Sequence, residues 1–377
     1  MPSLLNIPSI QNAMKNNGLS GRKLAEQLNV SPQTIANWLS SESFPHPSQL
    51  LKLALRLRIE FDELIIQATP DADEPRVAAR ARLNRVLSDA TLAELKGMGK
   101  LLEQMVDYLP FDTLESPPRL TNPVTEASYL QQVSQKVRSD IGVNAFEPVK
   151  FEDLVERFAK HKAVLIPVLW GKKEGHENAI HILLPKTGTT WVYLNLDTYL
   201  PDFKFWMAHE LGHVYSPSLN GTDAEKFADA FAGALLFPHT VASMAYEELS
   251  TKRSPTSKVK VLDDYAARYG ISSYSVFKEA NGYAGTKKLD LIKIPQALLH
   301  GGRNVTNQMN GTIAEVLWHG KLPQPKEYIK VSTKIFKTPF FDVLGKYIQE
   351  KNKSSNFVHA VLDVPLLDAK ALHLELA

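Results

Sequence analysis

Apolar positions between Gly18 and Ile65 recur three and four residues apart in short stretches separated by small turns, in the run GLSGRKLAEQLNVSPQTIANWLSSESFPHPSQLLKLALRLRIEFDELI. Ser20 is placed to cap a helix that turns Leu24, Ala25 and Leu28 inward. Asn29 and Val30 make the turn, and Ser31 caps the next helix with Pro32 at its first position. That helix buries Ile35 and Trp38 and leaves Gln33, Thr34 and Asn37 outward near its N-terminal end, a helix-turn-helix spacing in which such residues meet base edges.

Further along, the pattern changes. TPDADEPR, from Thr69, and DTLESPPRLTNP, from Asp112, are rich in turn formers and read as linkers. The stretch between them, VAARARLNRVLSDATLAELKGMGKLLEQMVDYL, reads as one or two connecting helices or, equally, as a surface that pairs two copies into a homodimer. AVLIPVLW, NAIHILLP and TWVYLNLD then read as three short strands, followed by a helix FKFWMAHELGHVYS and a second, EKFADAFAGALLFP. In the tail, KLDLIKIP, YIKVSTKIF and FVHAVLDVP read as strands around a helix FFDVLGKYIQEKN. The expected organisation is a multidomain chain. An all-α helix-turn-helix domain spans residues 1–68, and a linker with connecting helices spans 69–123. An α+β domain follows over 124–285, and an unassigned α/β C-terminal region over 286–377.

Composition narrows the chemistry. With 377 residues, 44% of them hydrophobic and 22% charged, the chain has material for sizeable cores. No apolar run approaches the roughly 20 residues of a membrane span, and the first residues lack a basic start followed by an apolar stretch, so a cytoplasmic protein is expected. Cysteine is absent, which excludes disulfides, thiolate zinc sites and thiol nucleophiles together. A metal would have to be held by His, Asp or Glu.

One stretch supplies such ligands. In WMAHELGHVYS, His209 and His213 stand four residues apart and so share a helix face; both imidazoles can meet one Zn2+, with Glu210 beside them as general base. The helix that follows is apolar at Phe227, Ala228, Phe231, Ala232, Leu235 and Leu236, interrupted only by Glu225 and Asp229 on one face. Stray carboxylates are costly on a buried helix. Their placement suits a third zinc ligand and a carboxylate that orients a ligating histidine. His176 and His181 are accounted for by an exposed loop and strand alternation, and His239 by a helix start. Tyr193, Tyr215 and Tyr265 could each donate to a tetrahedral oxyanion, and spacing does not select among them.

Two resemblances follow from these motifs. Over some fifty residues the first segment resembles the Xre, lambda-repressor-like, family, which implies an operator DNA as partner, Gln33, Thr34 and Asn37 at base edges, and Arg22 and Lys23 on phosphates. Gly21 and Pro32 stand where that family often has a polar donor. Residues 1–68 carry six basic and five acidic side chains, a small net charge of +1 that favours binding as a dimer.

From about Pro148 to Gly285, the blocks FKFWMAHELGH, EKFADAFAGALLFP and GISSYSVFKEANGYAG resemble the ImmA/IrrE family of zinc metallopeptidases. The resemblance implies a zincin-like fold, Zn2+ on His209, His213 and Glu225, Glu210 as catalytic base, and Asp229 where that family commonly has Asn or Asp. Peptidases of that family relieve repression by cleaving an Xre-type repressor. The expected function is therefore a DNA-binding transcriptional regulator fused to an endopeptidase whose substrate is a repressor or a toxin-antitoxin partner. The alternative is a regulator or antitoxin with little or no proteolysis, whose zinc domain senses or binds a partner.

Overall fold

Two local devices set the first unit. Ser20 accepts a hydrogen bond from the Lys23 N–H at 3.3 Å, and Ser31 Oγ accepts one from the Thr34 N–H at 3.0 Å, so each helix of the motif starts on a serine cap. Asn29 ends the first of them in the left-handed region, with φ of 56°. A computed structural model describes residues 3–39, 45, 47–59, 64–67, 74–79, 88–111, 120–170, 178–299 and 311–377. The chain divides into two units, Met1–Glu74 and Pro75–Ala377.

In the first unit, β1 (Ser3–Leu5) leads to α1 (Ile7–Asn16), α2 (Gly21–Leu28), α3 (Pro32–Leu39), α4 (Pro47–Leu57) and β2 (Ile65–Gln67). Ile10, Leu24, Leu28, Ile35, Trp38, Leu53 and Leu57 form its core. Asn17 Nδ2 donates to the carbonyls of Ala13 and Leu57, tying α1 to α4. The unit is not purely helical: β1 and β2 pair antiparallel, Leu4 opposite Ile66, and join its two ends. Strands of three residues are too short to show an alternating pattern, so only the pairing itself reveals them.

The second unit is built on a four-stranded sheet in the order β3-β5-β6-β4, made of β3 (Arg76–Ala79), β4 (Ala163–Val168), β5 (Ala179–Leu184) and β6 (Thr189–Asn195). The three strands expected from the sequence are β4, β5 and β6, every residue of which is buried. β4 runs parallel to β6, and β5 is antiparallel to both its neighbours. The remaining strand corrects the linker reading of residues 69–123, because Arg76–Ala79 pairs with β5. Four residues carry no periodic signal, and their partner lies about a hundred positions away. After it come α5 (Asp89–Glu103), which contains part of the expected connecting helices, α6 (Ala127–Asp140) and α7 (Phe151–Lys160). Much of the stretch from Asp112 lies outside the described residues.

Beneath the sheet run α8 (Leu200–Tyr215) and α9 (Gly221–Leu236). They approach closely at Gly212, where an added Cβ would stand 2.9 Å from the Ala228 Cα and 3.2 Å from a Phe231 ring carbon. The glycine between the two histidines of the HELGH stretch thus permits the helix contact that assembles the site. The chain continues through α10 (His239–Thr251), α11 (Pro255–Tyr269) and α12 (Ser273–Thr286).

The tail corrects a second expectation. It forms α13 (Ile313–Trp318), α14 (Pro325–Phe336), α15 (Phe340–Lys351), α16 (Ser355–Leu362) and α17 (Leu366–Leu376), and no strand is found among its described residues. YIKVSTKIF lies in α14, where Tyr328, Ser332 and Phe336 make a buried stripe at four-residue spacing. FVHAVL lies in α16, with Val358, Val361 and Leu362 inward. Both segments are rich in β-branched residues, whose strand preference is weak enough for tertiary burial to override. KLDLIKIP has neither helix nor strand. The helices cover the sheet: Tyr193 Oη donates to the Val361 carbonyl at 2.7 Å and Trp170 Nε1 to that of Leu362 at 2.9 Å. Tail and sheet share one hydrophobic core.

Candidate metal centre and nucleic-acid interface

α8 presents His209 and His213 from successive turns, and α9, packed against it through Gly212, presents Glu225 and Asp229 to the same point. The two Nε2 atoms lie 3.1 Å apart. Glu225 Oε2 is 3.4 Å from His209 Nε2, and its Oε1 is 3.4 Å from His213 Nε2. Around a tetrahedral zinc with bonds of about 2.0–2.1 Å, neighbouring ligand atoms stand about 3.3 Å apart. The three separations therefore match a His-His-Glu set converging on one cation, and the donor types suit zinc in a chain without thiolates.

Asp229 completes the arrangement from outside. Its Oδ1 lies 3.0 Å from His209 Nδ1, which makes that nitrogen the donor and turns Nε2 toward the cluster, where it can ligate once its own proton has left. Charge follows geometry. Burial opposes protonation of His209, but its hydrogen bonds to Asp229 and Glu225 outweigh it and lift the pKa to about 9. Burial lowers His213. Burial would raise Glu225, yet hydrogen bonds from both histidines hold it well below the usual carboxylate range. Glu210 has no such partners, and burial pushes its pKa up to about 8, where a carboxylate can accept and return a proton near neutrality.

One neighbour carries no signal in the sequence. His181, set aside as an ordinary strand residue, points from β5 into the site, its Nδ1 3.8 Å from Glu210 Oε2 and its ring 5.5 Å from that of His213. Both of those atoms are buried and have no hydrogen-bond partner among the described residues. Alternation along β5 could have told which face His181 occupies, but not that Glu210 lies opposite.

The other residues raised by the sequence lie elsewhere. Tyr193 is tied to the Val361 carbonyl; Tyr215 Oη is held by Arg157 Nε and lies 3.0 Å from His161 Nε2; Tyr265 packs on Phe237. None of the three is at the cluster. His239 opens α10, its N–H bound to Gln131 Oε1, and His176 is outside the described residues.

In the first unit, Gln33 is exposed on α3 and Thr34 and Asn37 are half-buried. Gln33 Nε2 donates to Asn37 Oδ1 at 2.8 Å, so the two amides form one hydrogen-bonded unit, and Thr34 Oγ1 lies 2.8 Å from Ser31 Oγ. Arg22 and Lys23 are exposed in the first turn of α2.

The helix-turn-helix family model matches residues 10–64. The chain therefore carries an Xre-type DNA-binding domain and has the DNA-reading part of a transcriptional regulator. No curated protein matches the chain. No helix among the described residues is long and apolar enough to cross a membrane.

Proposed function

We propose that this DNA-binding regulator is fused to a zinc-dependent endopeptidase of the ImmA/IrrE type, which cleaves a repressor or other regulatory partner protein. The observation that carries the reading is the convergence of His209, His213 and Glu225 at 3.1–3.4 Å with Glu210 buried beside them. His209, His213 and Glu225 would hold the zinc, which when bound supplies a water of lowered pKa and a Lewis acid for the peptide carbonyl. Glu210 takes the proton from the attacking water and returns it to the leaving amine. Asp229 keeps His209 in the tautomer that ligates. A reader domain on the same chain raises the local concentration of the peptidase at a DNA-bound substrate.

A second reading has its own support. His209, Glu210 and His213 are only 1–4% exposed, and β3 closes the sheet edge beside them, as suits a regulator or antitoxin whose zinc domain senses or binds a partner without cutting it. Incubating the zinc-loaded full-length protein with purified Xre-type repressors of the same organism distinguishes the two. New peptide termini that disappear on chelation are expected from a peptidase. An intact partner held in a stable complex supports the second reading.

A further inference from the structure

β3 joins the sheet at the strand that carries His181, from a stretch far earlier in the chain than β4, β5 and β6. The two strands pair antiparallel, with Arg76 opposite Leu183, Val77 opposite Ile182 and Ala78 opposite His181. Side chains alternate across a strand, and Ile182 lies against α5, its Cγ2 3.2 Å from where a Cβ on Gly99 would stand. His181, Ala78 and Arg76 therefore share the opposite face, the one on which α8 brings Glu210 to within 3.8 Å of His181. On that face β3 sets only a methyl group opposite His181, and Arg76 Nη1 reaches past it to the Pro217 carbonyl at 3.3 Å.

The strand sits as a bound peptide would. An extended peptide that adds to a sheet edge gains main-chain hydrogen bonds along the edge and is discriminated by alternate side chains. β3 makes the same antiparallel addition. Its Arg76, Val77 and Ala78 are half-exposed while β5 beneath is wholly buried, so removing β3 would uncover β5. His181 Nδ1 and Glu210 Oε2 lie buried beside this edge without hydrogen-bond partners among the described residues.

We propose that the edge of β5 is the seat of an extended peptide, with a small residue favoured opposite His181, and that residues 76–79 occupy this seat as an internal peptide that must leave before another enters. The seat rests on strand geometry alone; that a seated peptide is then cut rests on the peptidase reading. Tethering gives the internal strand an effective concentration of order millimolar, so a free peptide competes poorly until β3 is released.

The chain has no cysteine, so a Val77→Cys, Ile182→Cys pair places two thiols at directly opposed positions, where the spacing of about 4.5–5.5 Å between Cα atoms permits a disulfide. The probe is a fluorescein-labelled peptide of residues 75–80, PRVAAR, titrated into the full-length protein and read by anisotropy. The oxidised pair is expected to bind it at least tenfold more weakly than the same protein after reduction. Val77→Asp, which puts a charge where β3 packs and so unseats it, is expected to bind at least tenfold more tightly than the parent. Equal binding by the oxidised and reduced forms overturns the proposal, and if Val77→Asp does not fold, the disulfide pair alone decides. Peptide that binds as expected but is not hydrolysed with zinc present leaves the seat standing and removes the peptidase reading.

Discussion

His209 Nδ1 and Asp229 Oδ1 lie 3.0 Å apart, joining a turn of α8 to a turn of α9 across the candidate metal centre. The contact fixes the histidine ring and tautomer, and its loss frees both. Asp229→Ala is expected to weaken zinc binding about 10- to 100-fold, the usual cost of removing such an orienting carboxylate. Asp229→Asn, which can still accept from Nδ1–H, is expected to lose less. Competition with a chromophoric chelator measures both, and unchanged affinity in Asp229→Ala would leave the residue without the role given to it.

Above pH 6.5 the metal-free protein should lose stability as pH rises; below it His213 and His181, both lowered by burial, act in the opposite sense. His209, raised from 6.5 to about 9, contributes stability that is complete below pH 6.5 and lost on the way to 9. Glu210, raised from 4.5 to about 8, holds its proton more tightly folded than unfolded, so it too favours the fold less as pH climbs from 4.5 to 8. Glu225 acts the other way and loses its contribution only at acid pH, below its ordinary 4.5. Zinc displaces the His209 proton, so its stabilising effect should be larger at pH 8.5 than at pH 6.5. Thermal melts with and without zinc at the two pH values test this; an equal rise in Tm at both would contradict it.

In the reader, the Gln33–Asn37 hydrogen bond makes the two amides act together. Each base-edge contact is worth about 1–3 kcal/mol, and the double Gln33→Ala, Asn37→Ala variant should cost less than the sum of the singles and relax sequence preference. Arg22→Ala and Lys23→Ala should instead weaken binding to all sequences alike and flatten its salt dependence. Gel-shift titrations of the full-length protein on its own upstream DNA, at two salt concentrations, separate these effects. No shift even at low salt would leave the domain without operator binding.

The elements that build the site were legible where periodicity was long. α8 and α9 each run 16 residues, and their histidines and carboxylates stand out against apolar neighbours. The serine caps and the Asn29 turn of the reader were readable for a related reason, since each is a local interaction within a few residues. What escaped depends on distant partners. RVAA becomes a strand only because β5 offers an edge, and His181 matters only because Glu210 lies beneath it. The tail misled for a different reason: runs such as YIKVSTKIF satisfy both an alternating and a four-residue pattern, and the sheet they cover decides in favour of the helix.

Hydrolysis of Xre-type repressors of the same organism by Glu210→Gln and by the parent, with bound zinc counted in both by mass spectrometry, tests the peptidase most directly. The amide keeps the shape of Glu210 and removes its capacity to take a proton. About one zinc per chain is expected in each protein, with cleavage at least 100-fold lower in the variant. Equal cleavage by the two zinc-loaded proteins would contradict it.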